Sequence, residues 1–86
     1  MTFTQLRSFS EVARLGSVTE AARVLGVTEP AVSAAVGALR RELGDALFVR
    51  AGGGINLTPG GRRLASAAQE ILMLAETARA DLQKLH

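Results

Sequence analysis

The sequence predicts a mainly α fold in which three short helices and a two-stranded ribbon make one small domain, and a single long helix runs out of it. Three observations carry the prediction. Two helical segments meet at Gly26, the second opening on Thr28-Glu29-Pro30. After Gly44 the apolar period shortens toward alternation, around the run Gly52-Gly53-Gly54. From Thr58-Pro59 onward, apolar residues recur every three or four positions to the end of the chain.

Thr4 reads as the N-cap of the first helix, which runs to Leu15 and stops at Gly16. Leu6, Phe9, Val12 and Ala13 form its buried stripe, with Phe3 plugging the approach to it. Gln5, Arg7, Ser8 and Arg14 face outward, and among them Gln5 and Arg7 are the candidates for more than ordinary surface. Ser17 and Glu20 have the spacing of a capping box, in which hydroxyl and carboxylate each satisfy an orphan backbone donor. The second helix therefore starts there. Gly26 closes it with a left-handed residue, and Ala21 and Ala22 allow other backbones to approach.

Thr28 caps the third helix, followed by an acid and a proline in the first turn, where the missing proline N–H costs nothing. Val32, Val36 with Ala35, Leu39 and Leu43 fall on one face. That leaves Glu29, Pro30, Ser33, Ala34 and Gly37 facing out. The outer face is small and largely uncharged, which suits a DNA major groove about 12 Å wide. Gly44 ends this helix. Leu47-Phe48-Val49-Arg50 then reads as a strand, Ala51 to Gly54 as a turn, and Ile55-Asn56-Leu57-Thr58 as the returning strand. A helix-turn-helix over about 17–43 and a ribbon over about 47–58 make residues 1–58 a winged helix-turn-helix. The glycines could instead cradle a phosphate, but no Lys-Ser or Lys-Thr follows them and they join strands, so the turn is favoured.

Thr58 and Pro59 open the last helix, over 59–86. Leu64, Ala68, Ile71, Ala75, Ala78, Leu82 and Leu85 alternate spacings of four and three, a heptad seam. Such a helix is about 40 Å long, more than so small a domain can cover. A partner helix is expected along it, and the seam residues are the candidate dimerisation surface.

Composition narrows the function. With 86 residues there is room for one core and not for a cleft between two lobes. No cysteine is present, which removes disulfides and thiolate zinc sites. Three Phe and no Trp or Tyr make a base-stacking platform for single strands a poor fit. No apolar run approaches a membrane span and the N-terminus lacks the order of a signal peptide, so a cytoplasmic location is expected. His86 is the only histidine and no nucleophile has a base beside it, which argues against an enzyme. No small-molecule inducer is expected, because every apolar stripe is consumed by core or seam, and neither a metal nor a cofactor is expected.

Charge is uneven along the chain. Residues up to Pro30 balance to zero, Ala31 to Arg63 carry +3, and the remainder carries −1. Nine of the ten cations are Arg, the better phosphate fork, so the basic middle segment is the one suited to a phosphate backbone.

These motifs together resemble the N-terminal DNA-binding region of LysR-type transcriptional regulators. The matching positions run from Leu6, Phe9 and Val12-Ala13 through Gly16-Ser17-Val18-Thr19 and Ala21-Ala22 with Leu25. They continue through Val27 to Ser33, Leu39 to Gly44, Leu47-Phe48 with Arg50, and Leu57-Thr58-Pro59 with Gly61, so the resemblance covers essentially the whole chain. It implies a winged helix-turn-helix, a linker helix that pairs two subunits antiparallel, and binding to partly palindromic double-stranded promoter DNA. The DNA contacts it implies fall on Thr28, Pro30, Ala31, Ser33, Ala34 and Gly37 of the third helix, with Thr19, Gln5 and Arg50 around it. Two positions depart from the family pattern. Glu29 stands where a Gln is usual and Ala34 where Arg or Gln is common, while Gly52-Gly53-Gly54 replace a wing that usually carries a second Arg. The family's effector-binding domain has no counterpart here, so the resemblance implies a DNA-binding fragment or a truncated member, homodimeric, with tetramers open to a full-length protein. The rival reading is a dimerising protein-interaction module that uses the same fold without DNA, favoured by the low net charge, Glu29 and the depleted wing.

Overall fold

A computed structural model describes all 86 residues. The chain forms α1 (Phe3–Leu15), α2 (Val18–Leu25), α3 (Glu29–Leu43), β1 (Phe48–Ala51), β2 (Gly54–Leu57) and α4 (Pro59–Lys84). The predicted order of elements is the observed one.

Helix α1 starts two residues earlier than expected. Thr2 is its N-cap: the Thr2 hydroxyl accepts from the Gln5 N–H and the Gln5 side chain accepts from the Thr2 N–H, both at 3.0 Å. This reciprocal pair is the true capping box of the chain. Two other expectations for α1 fail with it. Phe3 is 55% exposed and plugs nothing, and Ser8 is buried instead of facing outward. At the start of α2 only half of the expected box forms. Ser17 accepts from the Glu20 N–H at 3.1 Å, while the Glu20 carboxylate turns to Arg23. Thr28 and Thr58 cap α3 and α4 as predicted, through the N–H groups of Ala31 and Gly61.

Helices α1, α2 and α3 pack around Phe9, Val12, Ala21, Val32 and Leu39, none more than marginally accessible. Truncating a buried Phe such as Phe9 to Ala typically costs about 3–5 kcal/mol, so this cluster decides whether the domain exists. Leu43, expected on the same stripe, is 43% exposed, because α3 has passed the end of the core by its last turn. Strands β1 and β2 are antiparallel, with Phe48 opposite Leu57 and Ala51 opposite Gly54. The turn is therefore Gly52-Gly53 alone, both with positive φ, the two-residue hairpin that matches strand twist and admits glycine best.

Leu47 lies outside the strand. It is fully buried at φ 67, and the Phe48 N–H donates to the Ala46 carbonyl at 2.7 Å across it. That is a three-residue turn of the rare positive-φ kind. Asp45 and Thr58 hold it. The Leu47 N–H donates to Asp45 Oδ1 at 2.8 Å, and the Thr58 N–H donates to the Leu47 carbonyl at 3.0 Å. The Thr58 hydroxyl also donates to Asp45 Oδ1 at 2.8 Å, so this carboxylate ties the end of α3 to the start of α4. The Leu47 N–H first and the Thr58 hydroxyl second hold the Asp45 carboxyl below the usual carboxylate range.

Helix α4 leaves this junction with its first half against α1 and the ribbon. Gly61 and Ala68 are buried, and Leu64 and Ala65 pack on the core. The molecule is consequently elongated, 49 × 25 × 19 Å. No helix is long and apolar enough to cross a membrane.

Candidate nucleic-acid interface

The outward face of α3 carries Thr28, Pro30, Ala31, Ser33 and Ala34, all exposed, with Gly37 half-buried one turn further on. Val32, Val36 and Leu39 anchor its opposite face in the core. That division follows from the 3.6-residue period, which puts the β-branched residues inside and leaves small ones outside. Facing α3 is the ribbon, and between them opens a groove of about 790 Å³. Pro30 and Ser33 line one wall and Arg50 with Gly52-Gly53 the other, with Thr19 at the α2 end. Only three of its thirteen lining residues are hydrophobic, so it suits a polar, charged ligand and not an apolar inducer.

Electrostatics single out Arg50. Arg14, Arg23 and Arg79 are each paired with a glutamate three residues away on their own helix. Arg40 and Arg62 are spent on backbone. Arg40 donates to the carbonyls of Ala46 (2.7 Å) and Phe48 (3.3 Å) and stacks 4.4 Å from the Phe48 ring centroid, and Arg62 donates to the Leu57 carbonyl at 3.2 Å. Of the basic middle segment this leaves Arg41, Arg50 and Arg63 without an internal ion pair. Arg50 is the one on the groove wall.

The expected contact residues divide on inspection. Thr19, Pro30, Ser33 and Arg50 come together around the groove, while Thr28, Ala31 and Ala34 share the exposed face beside it. The Thr28 hydroxyl accepts from Ala31 but keeps its own proton free to donate. Gln5 does not line the groove, and its side-chain oxygen accepts from the Thr2 N–H in the α1 cap. Gly16 and Ser17 line the groove and escaped the sequence reading. Their position just ahead of Thr19, at the N-terminus of α2, was the available signal.

The heptad seam also divides. Ala68 is fully buried within its own chain, and Leu64, Ile71 and Ala75 are half-buried, whereas Ala78, Leu82 and Leu85 are exposed. Helical geometry gives the reason. The covered face passes through Gly61, Leu64, Ala68 and Ala75, and at about 100° per residue the uncovered apolar line lies beside it. That line runs Ala67, Ile71, Leu74, Ala78, Leu82 and Leu85. Leu74, 71% exposed, is the large residue the heptad pattern passed over.

A three-helix unit with a ribbon beside its third helix, followed by a long helix bearing an uncovered apolar line, defines a winged helix-turn-helix with an extended C-terminal helix. The model of the family described as bacterial regulatory helix-turn-helix protein, lysR family, matches residues 3–62, and the chain belongs to that family. Among curated proteins it is 57% identical over 76 residues to the uncharacterised HTH-type transcriptional regulator Rv0377 of Mycobacterium tuberculosis, covering 88% of this chain and 24% of that protein. The chain thus spans about a quarter of that relative's length. Among solved structures it superposes on a CbnR_DBD–DNA complex with a TM-score of 0.90 at 34% identity, covering 99% of this chain and 98% of that one. A BenM_DBD/catB site 1 DNA complex gives 0.94 at 27% identity, covering 99% and 94%.

Proposed function

We infer that this chain reads double-stranded DNA as a homodimer and serves in transcriptional regulation. The observation that carries the reading is the bare outer face of α3 standing across an open polar groove from Arg50, whose charge has no internal partner. Helix α3 occupies the major groove through Thr28, Pro30, Ala31, Ser33, Ala34 and Gly37, Thr19 meets the adjacent backbone, and Arg50 neutralises a phosphate beside the wing. The match to two DNA-complexed binding domains over nearly the whole chain supports the same assignment. Residues 1–58 form the reading unit and 59–86 the pairing helix. The protein works in the cytoplasm with its operator, and these 86 residues take no small-molecule inducer.

The test is titration of the chain with duplex DNA over a range of salt. Log affinity should fall linearly with log salt, by about 0.9 for each phosphate neutralised. A chain that forms dimers but shows no salt-dependent binding to any duplex would instead be the protein-interaction module, which neither the family nor the DNA-bound neighbours favour.

A further inference from the structure

Glu29 is the one residue of the outward face whose chemistry phosphate binding leaves unexplained. It is exposed on the first turn of α3 and lines the groove that Arg50 faces from the other wall. Glu11, Glu20 and Glu76 are each neutralised by an arginine, and Glu29 is not. Its Oε1 instead accepts a hydrogen bond from the hydroxyl of Thr19, ten residues earlier on α2. Both side chains are exposed, so the contact does little for folding. What it does is fix one carboxylate oxygen, leaving Oε2 without a partner in the chain.

We propose that Glu29 determines specificity by selecting a cytosine at one position of each half-site, with Thr19 as the residue that positions it. The proposal rests on the DNA-reading function above. A carboxylate accepts hydrogen bonds and cannot donate them. On the major-groove edge cytosine offers its N4 amine, whereas guanine N7 and O6 and thymine O4 are acceptors that repel the acid. Adenine sets its N7 acceptor beside the N6 amine, a pair that matches an amide and not a carboxylate. Glutamate and glutamine at this position therefore read different bases with nearly the same shape. The acid also repels phosphates on every sequence, so it works by excluding wrong bases as much as by attracting the right one.

The experiment is selection from a pool of random duplexes by the 86-residue chain, run in parallel for Glu29→Gln, Thr19→Val and Thr19→Ser, with thermal melting to confirm that each folds. The wild-type motif should hold a cytosine in each half. Glu29→Gln should keep the rest of the motif and move that position to adenine, lowering the preference for cytosine about tenfold. Thr19→Val should weaken the cytosine preference, and Thr19→Ser should restore it. A Glu29→Gln motif identical to the wild-type one overturns the assignment while leaving DNA reading intact. A Thr19→Val preference equal to wild type overturns the positioning role. Failure of the wild-type chain to enrich any motif overturns both this assignment and the function beneath it.

Discussion

Replacing Gly61 by alanine tests whether the long helix is locked to the winged domain through backbone contact. A Cβ at Gly61 would lie 1.9 Å from the Leu47 carbonyl oxygen, 2.8 Å from its carbon and 3.3 Å from its Cα. A carbon–oxygen contact needs about 3.3 Å, so α4 would have to retreat by about 1.4 Å or the Leu47 turn deform. Either motion strains the 3.0 Å bond from the Thr58 N–H to the same carbonyl and lifts Leu64 and Ala65 off the core. Overpacking costs about 1–3 kcal/mol, and the obstacle here is backbone, so the upper half of that range applies. Alanine's helix propensity returns up to about 1 kcal/mol. The net loss should be about 1–2 kcal/mol, lowering the melting temperature by roughly 5–15 °C for a domain of this size. Melting followed by circular dichroism at matched concentration is the assay. Gly60→Ala is the companion, because its Cβ would meet the Asp45 carboxylate at 1.9 Å, a side chain that can swing away by giving up its bonds to Leu47 and Thr58. It should lose less than Gly61→Ala. A Gly61→Ala protein as stable as the wild type would refute the idea that this junction is rigid.

Other expectations follow from the same geometry. Gly37→Ala meets only the flexible end of Arg41, at 3.4 Å, so it should stabilise the chain by about 0.5–1 kcal/mol, and destabilisation would show that α3 is less regular than described. Arg50→Ala should reduce DNA affinity similarly on all sequences and flatten the salt slope by about one unit, and a change in base preference with an unchanged slope would contradict its role. Asp45 is held below its unfolded value of about 3.9, so its contribution is complete above that pH and is lost as the pH falls through the folded value. Asp45→Asn should therefore lower the melting temperature at neutral pH and flatten its decline in acid, as scanning calorimetry across pH would record. Leu74→Asp with Leu82→Asp should give a helical monomer by sedimentation, whereas Ala68→Asp, aimed into the chain's own core, should unfold it. Equal behaviour of the two would mean the pairing face lies elsewhere.

Much of this architecture was legible because its punctuation is chemical. Ser17, Thr28 and Thr58 are hydroxyls that accept the orphan N–H groups of helix starts, and Gly16, Gly26 and Gly44 take the left-handed conformation that ends helices. The start of α1 was legible too and was misread, since Thr2-Phe3-Thr4-Gln5 is itself a capping-box pattern. Other features were out of reach. Nothing in a run of alternating apolar residues announces that Leu47 will be a buried left-handed residue, because that conformation is imposed by Asp45 and Thr58 from either side. A count of arginines could not show that Arg40 serves carbonyls and not phosphates. The heptad pattern found an apolar helix face but could not say that its Ala68 edge is already buried within the chain. Periodicity reports that a face is apolar, and only packing decides what covers it.

The segment Ala46–Phe48 ties α3, the helix proposed to read DNA, to α4, the helix proposed to pair. Arg40, on α3, grips the carbonyls of Ala46 and Phe48, and Leu47 between them accepts from Thr58 at the mouth of α4. A left-handed Leu costs about 1–2 kcal/mol, which its full burial, worth about 1.5–3 kcal/mol, offsets. The conformation is thus held by the surroundings and cannot relax without loosening all three elements together. Gly61 packs against the same carbonyl, so α4 meets this turn by backbone contact. In the proposed dimer along the Leu74–Leu82 line, this junction would carry the geometry of the helix pair to the two α3 faces. Helices about 40 Å long would then set those faces at a distance comparable to the roughly 34 Å repeat of the duplex. The two glycines at the start of α4 are what let the junction close, since a Cβ on Gly60 would meet the Asp45 carboxylate and one on Gly61 the Leu47 carbonyl, each at 1.9 Å.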